Sequence, residues 1–277
     1  MRQHHSVCSF TSSDSWVILS EIEQSIKRKI EAVGTPLKDW DIQINYGIKT
    51  GYNDAFIITT EKRDEILSNC ADDEERKRTA ELIRPILRGR DIKRYGYDWA
   101  GLWLINTHNG VKGVMPRIKI EDYPAVKRHL DQYWDKIKKR ADQGDTPYNL
   151  RNCAYVDDFS RPKLIYPETT QGAYFAFDED KFYIDKTCFM LISDDSEYLQ
   201  LTLSSKLFAY SYKNIFSSIE LGENGYQYNK HALAKVPIRL PEVGIELRKN
   251  EDVDAQIYEL YRLDEEEISF IESQQIQ

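Results

Sequence analysis

The chain has 277 residues, 41% of them hydrophobic and 30% charged, with a formal net charge of -8. That is enough apolar side chain to close one large core or two small ones. No run approaches the roughly 18 apolar residues of a membrane helix, Met1–Ser20 lacks the apolar centre of a secretory signal, and the expected compartment is the cytoplasm. Cys8, Cys70, Cys153 and Cys188 lie far apart without a Cys-x-x-Cys pair and read as reduced thiols, not as a zinc site.

The opening residues are polar, and His4-His5 lacks the spacing and further ligands that a metal needs. A helix is expected from Asp14, capped by Asp14 or Ser15, packing through Ile18, Leu19, Ile22, Ile26 and Ile30 and ended by Gly34 and Pro36. Trp40, Ile42 and Ile44 then alternate as in a half-buried strand. It leads into Tyr46-Gly47-Ile48-Lys49-Thr50-Gly51-Tyr52-Asn53-Asp54, where two glycines four apart predict a tight turn whose backbone can approach a ligand. Ala55–Ile58 reads as the strand that follows. Thr59 to Ile86 carries a helical pattern up to Pro85, which turns the chain. Gly89 then sets Arg88, Arg90, Lys93 and Arg94 on a short exposed segment. Guanidinium forks there match phosphate oxygens; alternatively Arg84 and Arg90 bind carboxylates inside the domain.

Trp99–Asn106 reads as a buried strand and Thr107–Gly113 as a polar loop. Tyr123–Arg140 reads as one basic amphipathic helix, with Val126, Leu130, Tyr133, Trp134 and Ile137 inward and Lys127, Arg128, Lys136, Lys138, Lys139 and Arg140 outward. Pro147-Tyr148-Asn149-Leu150-Arg151 forms a turn with polar side chains at a surface. Lys163–Tyr166, Ala173–Phe177, Phe182–Ile184 and Cys188–Ile192, rich in aromatic and β-branched residues, read as a meander of strands. Tyr198–Tyr212 is a core helix by pattern, Gly222–Asn229 a polar aromatic loop, Val236–Pro241 an extended closing segment and Val253–Ile271 one acidic helix. Acidic residues crowd into Glu242–Glu272, whereas Arg84–Arg94 and Lys112–Arg140 are basic. An acidic chain can thus still present a basic face.

Taken together, Tyr46–Ile58, Leu82–Tyr95, Leu102–Ile105 and Phe159–Tyr166 resemble the TaqI-like C-terminal specificity domain of adenine DNA methyltransferases and fused restriction-modification enzymes, over nearly the whole chain. One departure falls at Leu203-Ser204-Ser205-Lys206, where the family carries a Leu-Asn-Ser-Lys-type sequence. The resemblance implies an α+β target-recognition fold with short twisted sheets, packing helices and a C-terminal helix. It divides the chain into a helical lead-in (1–36), the recognition domain (37–241) and an acidic C-terminal helix (242–277). It further implies that the domain reads duplex DNA and positions it for adenine N6 methylation and cleavage by methyltransferase and nuclease domains elsewhere. S-adenosylmethionine and Mg2+ are expected only in those domains, and no cofactor or metal in this chain. Contacts are expected from Lys49, Thr50, Tyr52 and Asn53, from Asn109 and Lys112, from Tyr148, Asn149 and Arg151, and from Gln171, Tyr174, Asn224, Tyr226 and Tyr228. Lys49 and Arg151 would serve phosphate, and the amides bases.

The sequence carries no glycine-rich S-adenosylmethionine loop, Asn-Pro-Pro-Tyr-like catalytic loop, phosphate loop, nucleophile turn or His-Glu-x-x-His motif. Two other readings remain open at this level. Glu168, Glu179 and Lys181 loosely fit a magnesium nuclease, provided that the carboxylates converge. The aromatic loops and acidic tail also suit a protein-docking module.

Overall fold

The computed structural model describes residues 19–217, 225–242 and 246–274. Helix α1 (Glu21–Val33) starts at Ser20, whose hydroxyl accepts from the Glu23 amide while the Glu23 carboxylate accepts from the Ser20 amide at 2.7 Å. This reciprocal cap replaces the expected one at Asp14 or Ser15, which lie outside the described residues. The chain extends as β1 (Gly34–Pro36) and, after a 3-10 turn, as β2 (Gln43–Tyr46).

Past the two glycines, α2 (Asn53–Phe56) takes up the residues expected to begin a strand, and β3 (Ile57–Thr59) starts only afterwards. Ala55 and Phe56 are fully buried by this one turn of helix. Helices α3 (Thr60–Ser68) and α4 (Asp73–Leu82) are capped by Thr59 and Asp72. The helical stretch ends three residues before Pro85, because β4 (Ile83–Leu87) is already strand. Short β5 (Ile92–Lys93) and β6 (Gly96–Tyr97) form a hairpin, and β7 (Leu102–Ile105) pairs antiparallel with β4, Pro85 lying opposite Trp103.

The expected basic helix is two: α5 (Pro124–Asp131) and α6 (Trp134–Ile137), broken at Gln132-Tyr133. The break resets the helical phase. Trp134 is therefore exposed and Arg140 buried, the reverse of a continuous helix. Then follow β8 (Lys163–Pro167), β9 (Thr169–Thr170), β10 (Ala176–Asp178), β11 (Tyr183–Ile184) and β12 (Cys188–Ile192). Helices α7 (Ser196–Leu203) and α8 (Lys206–Ser211) replace the single expected core helix. Ser205 makes the break: its hydroxyl caps α8 by accepting from the Phe208 amide. The chain finishes with β13 (Tyr226–Gln227), α9 (Lys230–Leu233), β14 (Pro237–Arg239), α10 (Val253–Leu260) and α11 (Glu265–Glu272). Arg262, at a φ of 55°, divides the acidic helix expected to be continuous.

Two four-stranded sheets organise these elements: an antiparallel one in the order β10-β8-β12-β2, and a mixed one in the order β11-β4-β7-β3. The first is a wall between two hydrophobic cores. Leu164, Tyr166, Phe189 and Leu191 point into one core, with α1, α7, α8, α10 and α11; Ile165, Cys188 and Met190 point into the other, with the second sheet and α2–α5. Alternation along β8 and β12 is what lets one sheet serve both. The fold is α+β, as expected. Residues assigned to a lead-in and an acidic tail meet in the first core, where Ile26 and Ile30 share a cluster with Ile257, Tyr261 and Ile271, and β1 pairs with β14. Lys29 binds Glu267 at 2.5 Å beside them.

The wall also holds a fully buried ion pair. Lys163 on β8 and Asp178 on β10 lie opposite each other, both side chains 0% exposed, with Nζ 2.5 Å from Oδ2. Lys163 Nζ also donates to the Phe159 carbonyl at 2.7 Å. Asp178 accepts from the amides of Phe182 at 3.0 Å and Asp180 at 3.1 Å.

Candidate nucleic-acid interface

The glycine turn is fixed by its closest contacts. Gly47 donates its amide to the Cys188 carbonyl at 3.0 Å, and Ile48 donates to the Ile184 carbonyl at 2.7 Å. A Cβ on Gly47 would lie 1.8 Å from the Asp185 carbonyl oxygen, so only glycine lets the end of β2 press against the segment before β12. Lys49 is thereby brought beside Lys186. From the other side, the Gly89 amide donates to Thr187 Oγ1 at 2.9 Å, and Arg88 clasps Asp91 with Nε and Nη2 at 3.0 and 2.9 Å. Glu168 is pinned through its backbone, its amide donating to Thr187 and its carbonyl accepting from Tyr228.

These contacts enclose an open groove of about 820 Å3 lined by Lys49, Arg88, Arg90, Lys93 and Lys186 against Glu168 and Asp185, with Gln171 and Tyr174 at its side. Asp185 is buried and accepts from the amide and hydroxyl of Thr187. Lys49, Arg90, Lys93 and Lys186 are exposed, and among the described residues none of them has an ion-pair partner. The groove is thus cationic despite the acidic total.

A second set of loops adjoins it through Thr50. Asn109 donates to Asp145 Oδ1 at 3.0 Å and to Asn152 Oδ1 at 2.5 Å, Arg151 binds Asp142 at 3.0 Å, and the Tyr148 hydroxyl donates to Asp131 at 2.6 Å. Asn109, Lys112 and Arg117 line a cleft of about 850 Å3 there. Cys153 sits in the same cleft, its thiol pushed up to about 11 by burial, which keeps it protonated and unreactive at neutral pH.

The structure sorts the expected contact residues. Lys49, Gln171 and Tyr174 meet in the groove, and Tyr52, Asn53, Asn109, Lys112, Tyr148 and Arg151 stand at or near the surface of the loops. Thr50 and Asn149 are each only 2% exposed and bond inside: Asn149 Nδ2 donates to the Ile118 carbonyl at 2.9 Å, and Thr50 Oγ1 donates to Asn53 at 2.5 Å. Tyr226 and Tyr228 belong to the first core, where Tyr228 stacks on Tyr212 with centroids 4.4 Å apart. Residues 225–229 turn inward because β13 pairs with β9. Asn224 lies outside the described residues. Within the basic turn, it is Arg88, not Arg90, that holds an internal carboxylate, and Arg94 binds Asp254 at 3.3 Å. Lys186 escaped the sequence reading, being one lysine in a short turn between strands. Arg140 was read as outward and is the most deeply bonded cation of the loops.

The carboxylates of the nuclease reading do not converge. Lys163 pairs with Asp178 at one end of β8, which places Glu179 there, whereas Glu168 follows the other end. Five strand residues at about 3.3 Å each separate them. Among the described residues, no group of three or more His, Cys, Asp or Glu is placed to hold a metal ion.

A two-core α+β domain with a cationic groove and adjoining polar loops is the architecture of a recognition module. The chain belongs to the TaqI-like C-terminal specificity domain family, whose model matches residues 84–238. It is 23% identical over 210 residues to the type II methyltransferase M.PaeR7I of Pseudomonas aeruginosa, a match covering 72% of this chain and 33% of that protein. In fold it is similar to the type IIG restriction endonuclease BpuSI, with a TM-score of 0.52 and 15% identity over 93% of this chain and 29% of that one. It is also similar to the type IIL restriction-modification enzyme MmeI, solved in complex with DNA, with a TM-score of 0.52 and 14% identity over 86% of this chain and 33% of that one. The chain therefore spans about a third of the length of these relatives. Among the described residues, no helix is long and apolar enough to cross a membrane.

Proposed function

We propose that this chain is the DNA-reading part of a restriction-modification system, acting in the cytoplasm beside methyltransferase and nuclease domains that carry out adenine N6 methylation and cleavage. The observation that carries the reading is the cationic groove of a family specificity domain. Lys49, Arg90, Lys93 and Lys186 face solvent there, without carboxylate partners among the described residues, as suits cations that track phosphates. Gln171 beside them, and Asn53 on the loops, supply amides suited to base edges, while the Asn109 amide, bonded to Asp145 and Asn152, holds its loop, and Arg151 and Lys112 extend the phosphate contacts. S-adenosylmethionine and Mg2+ belong to the catalytic domains; the residues of this chain bind and orient the duplex, and support a target base as it leaves the stack.

The test is fluorescence anisotropy with a randomised duplex across a salt series. Four groove cations correspond to a slope of log affinity on log salt of about -3.6, or on the order of a hundredfold weaker binding at 200 than at 50 mM salt. Each of Lys49→Ala and Lys186→Ala should flatten the slope by about 0.9. A variant neutralised at all four positions that keeps the parent slope would place the DNA elsewhere.

A further inference from the structure

The polar loops of this surface come from three separate stretches of chain, and a single side chain ties two of them together. Arg140 is 6% exposed and lies with its guanidinium carbon 4.5 Å above the Phe56 ring. Its Nη1 donates to the carbonyl of Thr50 at 2.7 Å and to that of Asp142; its Nη2 donates to the carbonyl of Pro147 at 3.0 Å and to that of Asn149. All four acceptors are backbone oxygens. The glycine turn at 47–53 and the loop at 142–151 are therefore both held to one planar fork. Their approach is close on the other side too: Gly51, at a φ of 69°, would bring a Cβ to 3.1 Å from the Asp142 Cβ. The third stretch is joined to the second by Asn149, which donates to the Ile118 carbonyl, and by the Leu150 amide, which donates to that of Thr107.

We infer that Arg140 is a positioning residue for recognition: without touching DNA, it fixes the 47–53 turn and the 142–151 loop in one register, so that Asn53, Tyr148 and Arg151 are presented as a single reading surface. The inference rests on the DNA-reading function proposed above and adds the part that sets specificity apart from affinity. A guanidinium can do this because its donors fan out in a plane and reach four carbonyls of two loops at once. A lysine ammonium is a compact point with three donors and cannot span them. Its Nη donors are taken by carbonyls and its Nε is buried without a partner, so no donor is turned outward to a phosphate. Neutralising it should change which sequences bind, not how binding depends on salt.

Two measurements on the full chain separate the outcomes. Amide hydrogen exchange compares the parent with Arg140→Lys and Arg140→Met. Exchange in both 48–53 and 142–151 should quicken by about tenfold or more in each variant, one charge-assisted hydrogen bond being worth roughly that factor in a local opening equilibrium, while β4, β8 and β12 keep their protection. Unchanged exchange in either loop overturns the inference. Should Arg140→Met fail to fold, Arg140→Lys, which retains the charge and most of the stem but not the fork, decides. In the second measurement, each variant selects sequences from a randomised duplex pool at two salt concentrations. Loss of the parent's enriched motif with an unchanged salt slope supports the positioning role. A retained motif with the slope reduced by about 0.9 overturns it, making Arg140 a phosphate contact. A parent that enriches no sequence, with exchange altered in both loops, removes the DNA-reading function and leaves Arg140 as the lock between loops.

Discussion

Replacing Lys163 with methionine isolates the energetics of the wall. The substitution keeps the side-chain length but leaves Asp178 charged at a position of 0% exposure, with two backbone amides as its remaining short donors. Breaking a buried pair in this way costs about 3–5 kcal/mol, because the surviving charge has lost its counterion and cannot reach water. The two amide donors place Lys163→Met toward the low end of that range, near about 3 kcal/mol. Asp178→Leu leaves an ammonium bonded to the Phe159 carbonyl and frees the Phe182 and Asp180 amides as well, so its loss should be larger. The double variant removes both charges and should recover part of the loss, giving a coupling of about 1–3 kcal/mol in a double-mutant cycle. Urea unfolding followed by fluorescence measures each midpoint and slope. A loss under about 1 kcal/mol for either single variant, or strict additivity in the double, would refute the reasoning by showing that water reaches the pair.

Gly47→Ala forces a Cβ to within 1.8 Å of the Asp185 carbonyl; the strands must part, and the urea midpoint should fall by the equivalent of about 3 kcal/mol or more. His129 is buried with Nε2 2.9 Å from the Ala55 carbonyl, and burial holds its pKa below the ordinary value. The unfolded chain takes up this proton near pH 6.5 or so and the folded chain does not, so stability should be complete above about pH 6.5 and decline as pH falls from there. His129→Gln should flatten the midpoint-against-pH profile; only in part, since burial lowers the pKa of His108 as well. A profile unchanged by the substitution would mean that His129 titrates normally.

What could be read from the chain, and what could not, divides along physical lines. The glycine turn was legible because a backbone approach as close as that of Gly47 permits no other residue. The strands β8 and β12 were legible from their β-branched and aromatic runs. Helix continuity was not: the apolar pattern runs through Gln132-Tyr133, Ser204-Ser205 and Arg262, and each break depends on a cap or a backbone angle that packing selects. Exposure of aromatics was illegible for a related reason, since Tyr226 and Tyr228 would suit a surface loop or a core equally well until β13 pairs with β9. Arg140 failed for both reasons at once, because its direction depends on the helix break at Gln132-Tyr133. The groove was half legible. Its arginine turn and Lys49 stood out, while Lys186 acquires meaning only when the Gly47 contact brings the two turns side by side.

The wall of β8 and β12 limits how such a domain can be recombined. Its side chains alternate between the two cores, so a crossover that adds or removes one residue within 163–167 or 188–192 would exchange the linings. Tyr166 and Phe189 would turn toward the core now filled by Ile165 and Met190. A recombined domain must therefore keep the lengths of 163–167 and 188–192 unchanged, so that each core keeps its own lining.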